Sequence, residues 1–415
     1  MGTLLDRFLR YVKIDTQSNE DSTTHPSTHG QMELAKILET ELQELGLSNI
    51  ALSEKGYLMA ELPANVDKKL PTIGFIAHLD TSPDVSGKDV KPQLFLDYDG
   101  NDLILNQSEN IALKIQDYPE LSNYLGQTII TSDGTTLLGA DNKAGIAAIM
   151  TAIANLINMP DIKHGKIVLA FTPDEEIGQG ADFFDVAGFG ADFAYTIDGG
   201  PLGELEYETF NAAIAHIGIQ GINVHPGSAY LHMKNAMYIS MELNGMLPIN
   251  ERPEYTRDYE GFYHLTKFDG SVEWAKMVYI IRDHDKTKFE KKKAYLEYCV
   301  DFLNDKYGES TINLRMQDQY YNMKEKIEPV FHIVTLAEQA MVEIGINPVI
   351  KPVRGGTDGA RLSFMDLPCP NIFTGGHNFH SRFEFVSLES MQAAVNVITK
   401  IIELIEANDN PYDRA

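Results

Sequence analysis

Five short stretches carry side chains that could act as one chemical unit. GFIAHLDTSPD (Gly74 to Asp84) ends an apolar run with His78 and Asp80, and TTLLGADNKAGIA brings Asp141 to the start of a second apolar run. FTPDEEIG holds Glu175 and Glu176, YTIDGG holds Asp198, and GGHNFHSRFEF offers His377 and His380. Alternate residues of an extended chain share a face, so His78 and Asp80 point one way and Leu79 the other. Each residue alone has an ordinary explanation as a strand end, a turn or, for Asp141, a helix cap. Gathered at one rim, however, the carboxylates repel one another and lose solvent unless a cation neutralises them. Two imidazoles with several carboxylates suit zinc, and one carboxylate placed between two ions suits a two-metal centre with ions ~3.5–4 Å apart. Adjacent Glu175 and Glu176, in an extended segment, point in different directions, so one can bind metal while the other faces a water. A metal lowers the pKa of its water toward ~7, and a neighbouring carboxylate can take the proton during attack on a carbonyl. That is amide hydrolysis chemistry. Spacing does not decide between His377 and His380.

The elements that must position these groups read as an α/β protein. His29 to Leu47 has apolar residues at helical spacing and stops at a glycine, and KLPTIGFIAHLD follows as a strand. The stretch from Val85 to Ser122 is an acidic, turn-rich excursion. LLGADNKAGIAAIMTAIANLI passes from a loop into a long apolar helix, and KIVLAFTPDEEIG and ADFAYTIDGG are buried strands ending in acids. Such alternation predicts a mixed, largely parallel sheet flanked by helices, whose ligands bind at the carboxyl ends of its strands. Around Phe210 the style changes to β-α-β-β-α-β, the ferredoxin-like split motif. The expectation is a discontinuous catalytic domain, residues 1–209 and 323–415, with an inserted α+β ferredoxin-like domain at 210–322.

Bulk properties exclude several partners. The chain has 415 residues, 43% hydrophobic and 23% charged, and 60 acidic against 34 basic residues leave a net charge of -26. Such a field repels phosphate backbones and anionic lipid surfaces, so nucleic acid and membranes are not expected partners. No stretch approaches the roughly 18 apolar residues of a membrane span, and the amino terminus lacks the apolar core of a secretion signal. Cys299 and Cys369 have neither metal-type nor redox-type spacing, which fits a reducing cytoplasm.

Taken in order, FIAHLDT, TTLLGADNKAGIA, FTPDEEIG, YTIDGG, RGGTDGARLS and GGHNFHSRFEF resemble a two-zinc exopeptidase and aminoacylase superfamily. GADNKAGIA, PEYTRDYEGFYHL and IRDHD narrow the resemblance to its tripeptide aminopeptidases. The resemblance implies two zinc ions per subunit, one on His78 and Asp198, the other on Glu176 and His380, with Asp141 bridging. It gives Asp80 the task of orienting the histidine ligand, Glu175 that of general base, and the Asp141–Asn142 link a strained or cis peptide. His377 is left as a pocket or packing residue. In the insert, His225 would hold the substrate carbonyl, often from the partner subunit of a dimer, and Arg282 is a candidate for substrate or oxyanion contact, with His284 and Asp285 structural; outside the insert, Arg354 is a candidate clamp for the substrate's terminal carboxylate. The implied protein is a cytoplasmic homodimer acting on tripeptides, with a small closed pocket between its domains and the insert serving as lid and dimerisation domain. The alternatives are a related dipeptidase, carboxypeptidase or acyl-amino-acid deacylase, or a non-catalytic metal-binding homologue.

Overall fold

The computed structural model describes residues 2–407, so positions 408–415 of the expected catalytic domain lie outside the described residues. The chain divides into two compact units. The first takes the chain up to Tyr207, then Glu325–Lys351 and the chain from Thr357 onward; the second takes Glu208–Lys324 and Pro352–Gly356.

The first unit is built on an eight-stranded sheet in the spatial order Ser48–Leu52, Leu58–Leu62, Ile167–Thr172, Ile73–His78, Phe193–Gly199, Asn371–Phe373, Glu204–Glu206 and Val349–Ile350. The four strands from Ile167–Thr172 to Asn371–Phe373 run parallel, and antiparallel pairs flank them on both sides, with a further parallel pair, Glu204–Glu206 and Val349–Ile350, at one edge. Every residue of Ile73–His78 and of Ile167–Thr172 is buried, as parallel strands covered on both faces must be. Helix Ala140–Asn158 is apolar around almost its whole circumference and packs on the Ile73–His78 and Phe193–Gly199 strands, with helix Leu388–Ala407 against it. The expected excursion at Val85–Ser122 has a core of its own. Strands Gln93–Phe95, Leu103–Asn106 and Ile111–Leu113 and the 3-10 turn Pro119–Tyr124 enclose Tyr98, Leu105, Leu113 and Leu121. Strands of three or four residues are too short to show a periodicity in sequence.

The second unit follows the order strand Asn211–Gln220, helix Ala236–Met246, strands Phe262–Gly270 and Trp274–Asp283, helix Lys286–Tyr307, strand Ile312–Tyr320. The sheet order is Phe262–Gly270, Trp274–Asp283, Asn211–Gln220, Ile312–Tyr320, with all neighbours antiparallel. Alternation along its strands sends Ala213, Ala215, Ile217 and Ile219 toward both helices, into a core with Leu243, Leu296 and Leu303. Pro352–Gly356 joins this unit through Val353 N–H to the Glu208 carbonyl and Phe210 N–H to the Gly355 carbonyl.

Candidate metal centre

The register of the parallel strands brings the acidic ends together. His78 closes its strand directly beside Thr172, and Phe193–Gly199 delivers Asp198 on the other side. Asp141 sits at the head of helix Ala140–Asn158 with non-helical dihedrals, and the Asp141–Asn142 peptide is cis. Beyond Thr172 the chain departs from expectation. Asp174 adopts a left-handed conformation (φ 57°), and Glu175–Ile177 form a 3-10 turn in place of an extended segment. The cause lies in Asp174. Its buried carboxylate accepts from Ser27 N–H at 2.7 Å and Gln31 Nε2 at 2.7 Å, and its own N–H donates to Gln31 Oε1 at 3.0 Å. These bonds reach a segment remote in sequence, which periodicity cannot register.

Two donor sets result, sharing one residue. His78 Nε2 lies 3.0 Å from Asp141 Oδ1 and 3.2 Å from Asp198 Oδ1. His380 Nε2 lies 2.9 Å from Glu176 Oε2 and 3.3 Å from Asp141 Oδ2. Each oxygen of Asp141 therefore faces a different set, the geometry of a bridging carboxylate. Within each set, one ligand atom per residue fits inside 4.8 Å. His78 is buried, whereas the His380 side chain is 42% exposed, so the centre opens on the His380 side. His377 goes elsewhere: it accepts or donates to the Tyr124 hydroxyl and stacks on Phe385 with ring centroids 4.7 Å apart.

Charge in this cluster is unbalanced. Burial raises the Glu176 carboxyl to about 8, with Asp141 pushing the same way, and burial raises Asp198 to about 6 against the pull of His78. Burial likewise lifts Glu175 well above the carboxylate range, and Asp198, Asp358 and Glu176 reinforce it against His78. Burial works to lower both imidazoles, yet the facing carboxylates win, holding His78 well above its ordinary value and His380 near 11. Asp141, despite burial, is held far below the carboxylate range by His380 and His78. Glu176 Oε1 is buried with no hydrogen-bond partner among the described residues. An orphaned buried carboxylate oxygen beside two imidazoles fits a cation, and the N and O donors fit zinc.

Residues outside the donor sets hold it in shape. The Nδ1 edge of His78 lies 3.0 Å from the Asp80 main-chain carbonyl and 3.3 Å from Asp80 Oδ1. The Asp80 carboxylate also accepts Glu175 N–H at 3.0 Å and Glu176 N–H at 3.1 Å. On the second histidine, Nδ1 faces Asp84 Oδ2 at 3.3 Å. Asp84 lies inside the first stretch singled out in the sequence and went unassigned because its partner is 296 residues distant in a separate loop, roughly the gap no local spacing rule spans. Asp358 is a further acid missed, accepting from the Thr172 hydroxyl at 2.7 Å, with its carboxyl raised to about 7 by burial.

The residues expected to meet substrate belong to the second unit. His225 is exposed and its Nδ1 accepts from Gly227 N–H at 3.1 Å. Arg282 donates to the Ala213 and Ile281 carbonyls, both at 3.2 Å, and lies over Tyr320. Arg354 donates to the Asp258 carbonyl at 2.7 Å, the Glu260 carbonyl at 2.9 Å and Thr256 Oγ1 at 3.0 Å, so both terminal nitrogens of its fork already hold protein acceptors. His284 Nε2 meets the Val353 carbonyl, and Asp285 caps helix Lys286–Tyr307 through Lys288 N–H.

Residues 134–404 match peptidase family M20/M25/M40. Over 404 residues the chain is 61% identical to the peptidase T of Clostridium novyi, covering 97% of this chain and 99% of that protein. Identity to the peptidase T of Geobacillus thermodenitrificans is 58% over 403 residues, covering 97% and 98%. Among solved structures, aminopeptidase PepT from Bacillus cereus superposes with a TM-score of 0.74 at 23% identity, over 97% of this chain and 98% of that one. A dinuclear metal-binding peptidase of the M20 family from Bacillus subtilis superposes with a TM-score of 0.65 at 14% identity, over 97% of each chain. At those identities the likeness to the solved structures is one of fold.

Proposed function

Since this chain belongs to the peptidase T family, within the M20/M25/M40 peptidases, we propose that it is a cytoplasmic dinuclear zinc aminopeptidase that releases the amino-terminal residue of tripeptides. The observation that carries the reading is the pair of donor sets sharing Asp141, with the half-buried Glu175 next to the ligand Glu176. His78 and Asp198 would hold one zinc, Glu176 and His380 the other, and Asp141 both. Bound there, the ions supply polarisation of the scissile carbonyl and a water of lowered pKa.

Glu175 is the proton carrier. Its carboxylate takes the proton of the attacking water and returns it to the leaving amine. Asp80 fixes that carboxylate's backbone while steadying His78. His225 is assigned to the substrate carbonyl and Arg282 to substrate contact. For Arg354, whose donors are engaged, the role becomes indirect, fastening residues 256–260. A homodimer is supported by the apolar side chains Tyr238, Met241, Tyr298 and Phe302 that helices Ala236–Met246 and Lys286–Tyr307 leave exposed. No helix among the described residues is long and apolar enough to cross a membrane.

A panel of dipeptides, free and amino-terminally acetylated tripeptides and tetrapeptides, digested with and without a chelator, tests the function. The free tripeptide should lose its first residue, the acetylated one should be spared, and zinc should restore activity that the chelator removes. Equal cleavage of the acetylated tripeptide, or release of the last residue, points to a deacylase or carboxypeptidase.

A further inference from the structure

Glu384, which lies outside both donor sets, is 1% exposed and spans two chain segments. Its Oε2 accepts Leu138 N–H at 2.8 Å and Gly139 N–H at 2.7 Å, and its Oε1 accepts Asp141 N–H at 3.0 Å. Three backbone amides thus converge on one carboxylate, at a helix start whose N-cap, Gly139, has no side chain to offer them. The same glutamate closes the loop that carries His380. Its N–H donates to the Ser381 carbonyl at 3.2 Å, and within the loop Asn378 Nδ2 donates to the Phe383 carbonyl at 3.2 Å. One carboxylate therefore ties the peptide bearing the shared ligand to the loop bearing a second ligand.

We propose that Glu384 is a positioning residue that fixes Asp141 relative to His380 and thereby sets the affinity of both metal sites, the clamp being its carboxylate on the amides of Leu138, Gly139 and Asp141. The inference rests on the two-metal reading given above. Because Asp141 belongs to both donor sets, loosening it weakens two sites at once, in contrast to the loss of a ligand held by one set only. Glutamine at 384 keeps size and shape but turns one acceptor into an N–H₂ that meets backbone N–H groups head on. Aspartate keeps the charge yet draws it back by one methylene, within reach of only part of the amide set.

The test is a zinc competition titration of the full chain against a chromophoric chelator, for wild type, Glu384→Gln and Glu384→Asp, beside the melting temperature of each metal-free protein and kcat and KM on a tripeptide. Loss of an outer partner of a metal ligand costs roughly 10- to 100-fold in affinity or activity. Glu384→Gln should weaken both zinc-binding steps by at least about tenfold and lower kcat more than KM changes, with Glu384→Asp in between. Wild-type zinc affinities in a folded Glu384→Gln protein, with only its melting temperature lowered, overturn the positioning role while leaving the two-metal reading intact. If Glu384→Gln does not fold, Glu384→Asp with unshifted zinc affinities overturns it equally. Failure of the wild type itself to bind zinc overturns the metal-centre reading, and the positioning role with it.

Discussion

Asp80 ties the proposed metal ligand His78 to the turn that carries Glu175 and Glu176 through one side chain. It steadies His78 on one side and receives the N–H groups of Glu175 and Glu176 on the other. Removing it should therefore cost more than an ordinary partner of a histidine ligand: Asp80→Ala is expected to weaken zinc binding and also to reduce kcat by about 100-fold or more. A variant that weakens zinc but recovers full kcat at saturating zinc shows that the bonds to Glu175 and Glu176 do not matter. Glu175→Gln separates the roles further, since it should keep both ions yet lower kcat by roughly 10²- to 10⁴-fold, as read by metal analysis beside turnover. His377 belongs to stability instead. Burial, with Lys351 adding to it, holds its imidazole down at about 4 from 6.5, so between those pH values the unfolded chain binds a proton that the folded chain refuses. Stability from this group is thus complete above pH 6.5 and is lost as pH falls toward 4, by roughly 3 kcal/mol at full effect. His377→Gln, which keeps an acceptor for the Tyr124 hydroxyl but cannot titrate, should lose less stability over that window in urea titrations. Equal losses in both proteins contradict it.

Elements decide whether these side chains meet, and here sequence and structure part in instructive places. His78, Glu176 and Asp198 stood out as candidates because each lies at or just beyond the carboxyl end of a parallel strand, whereas His380, in a loop, was set apart from His377 only by the family resemblance. Asp174 and Glu384 were not legible as partners, although both stand in quoted stretches, because they act on backbone amides in remote segments. The 3-10 turn at Glu175 escaped for the same reason. Helix Ala140–Asn158 must also approach the sheet closely, and Gly145 permits it: a Cβ there would stand 2.0 Å from the Ile197 carbonyl oxygen and 2.3 Å from Asn142 Oδ1. Neither atom can yield without moving the sheet or the segment behind Asp141. Gly145→Ala is expected to lower the unfolding free energy from urea titration by about 1–3 kcal/mol and to weaken zinc binding, since Asp141 and Asp198 flank the contact. Unchanged stability and zinc affinity show that the helix has room that the contact distances deny.

At the scale of the whole molecule, the chain forms two compact units. The second unit's topology was readable from its β-α-β-β-α-β order, and its alternating strands account for its own core. The transfer of Pro352–Gly356 to that unit was not readable, since it rests on main-chain bonds from Val353 and Phe210. A dimer should appear in sedimentation at micromolar concentration. Mixing Glu175→Gln with His225→Ala protein should restore part of the activity if His225 serves the partner's site; no recovery despite subunit exchange counts against a shared site.

The central claim is that His78 and His380 belong to separate metal sites joined by Asp141, and zinc stoichiometry by atomic absorption after dialysis tests it most directly. The account predicts two zinc ions per chain in the wild type, one in His78→Ala, one in His380→Ala and loss of both from Asp141→Ala, with tripeptide hydrolysis falling in each. Two ions retained in every variant, or tripeptide hydrolysis at the wild-type rate in chelator-treated protein, would contradict it.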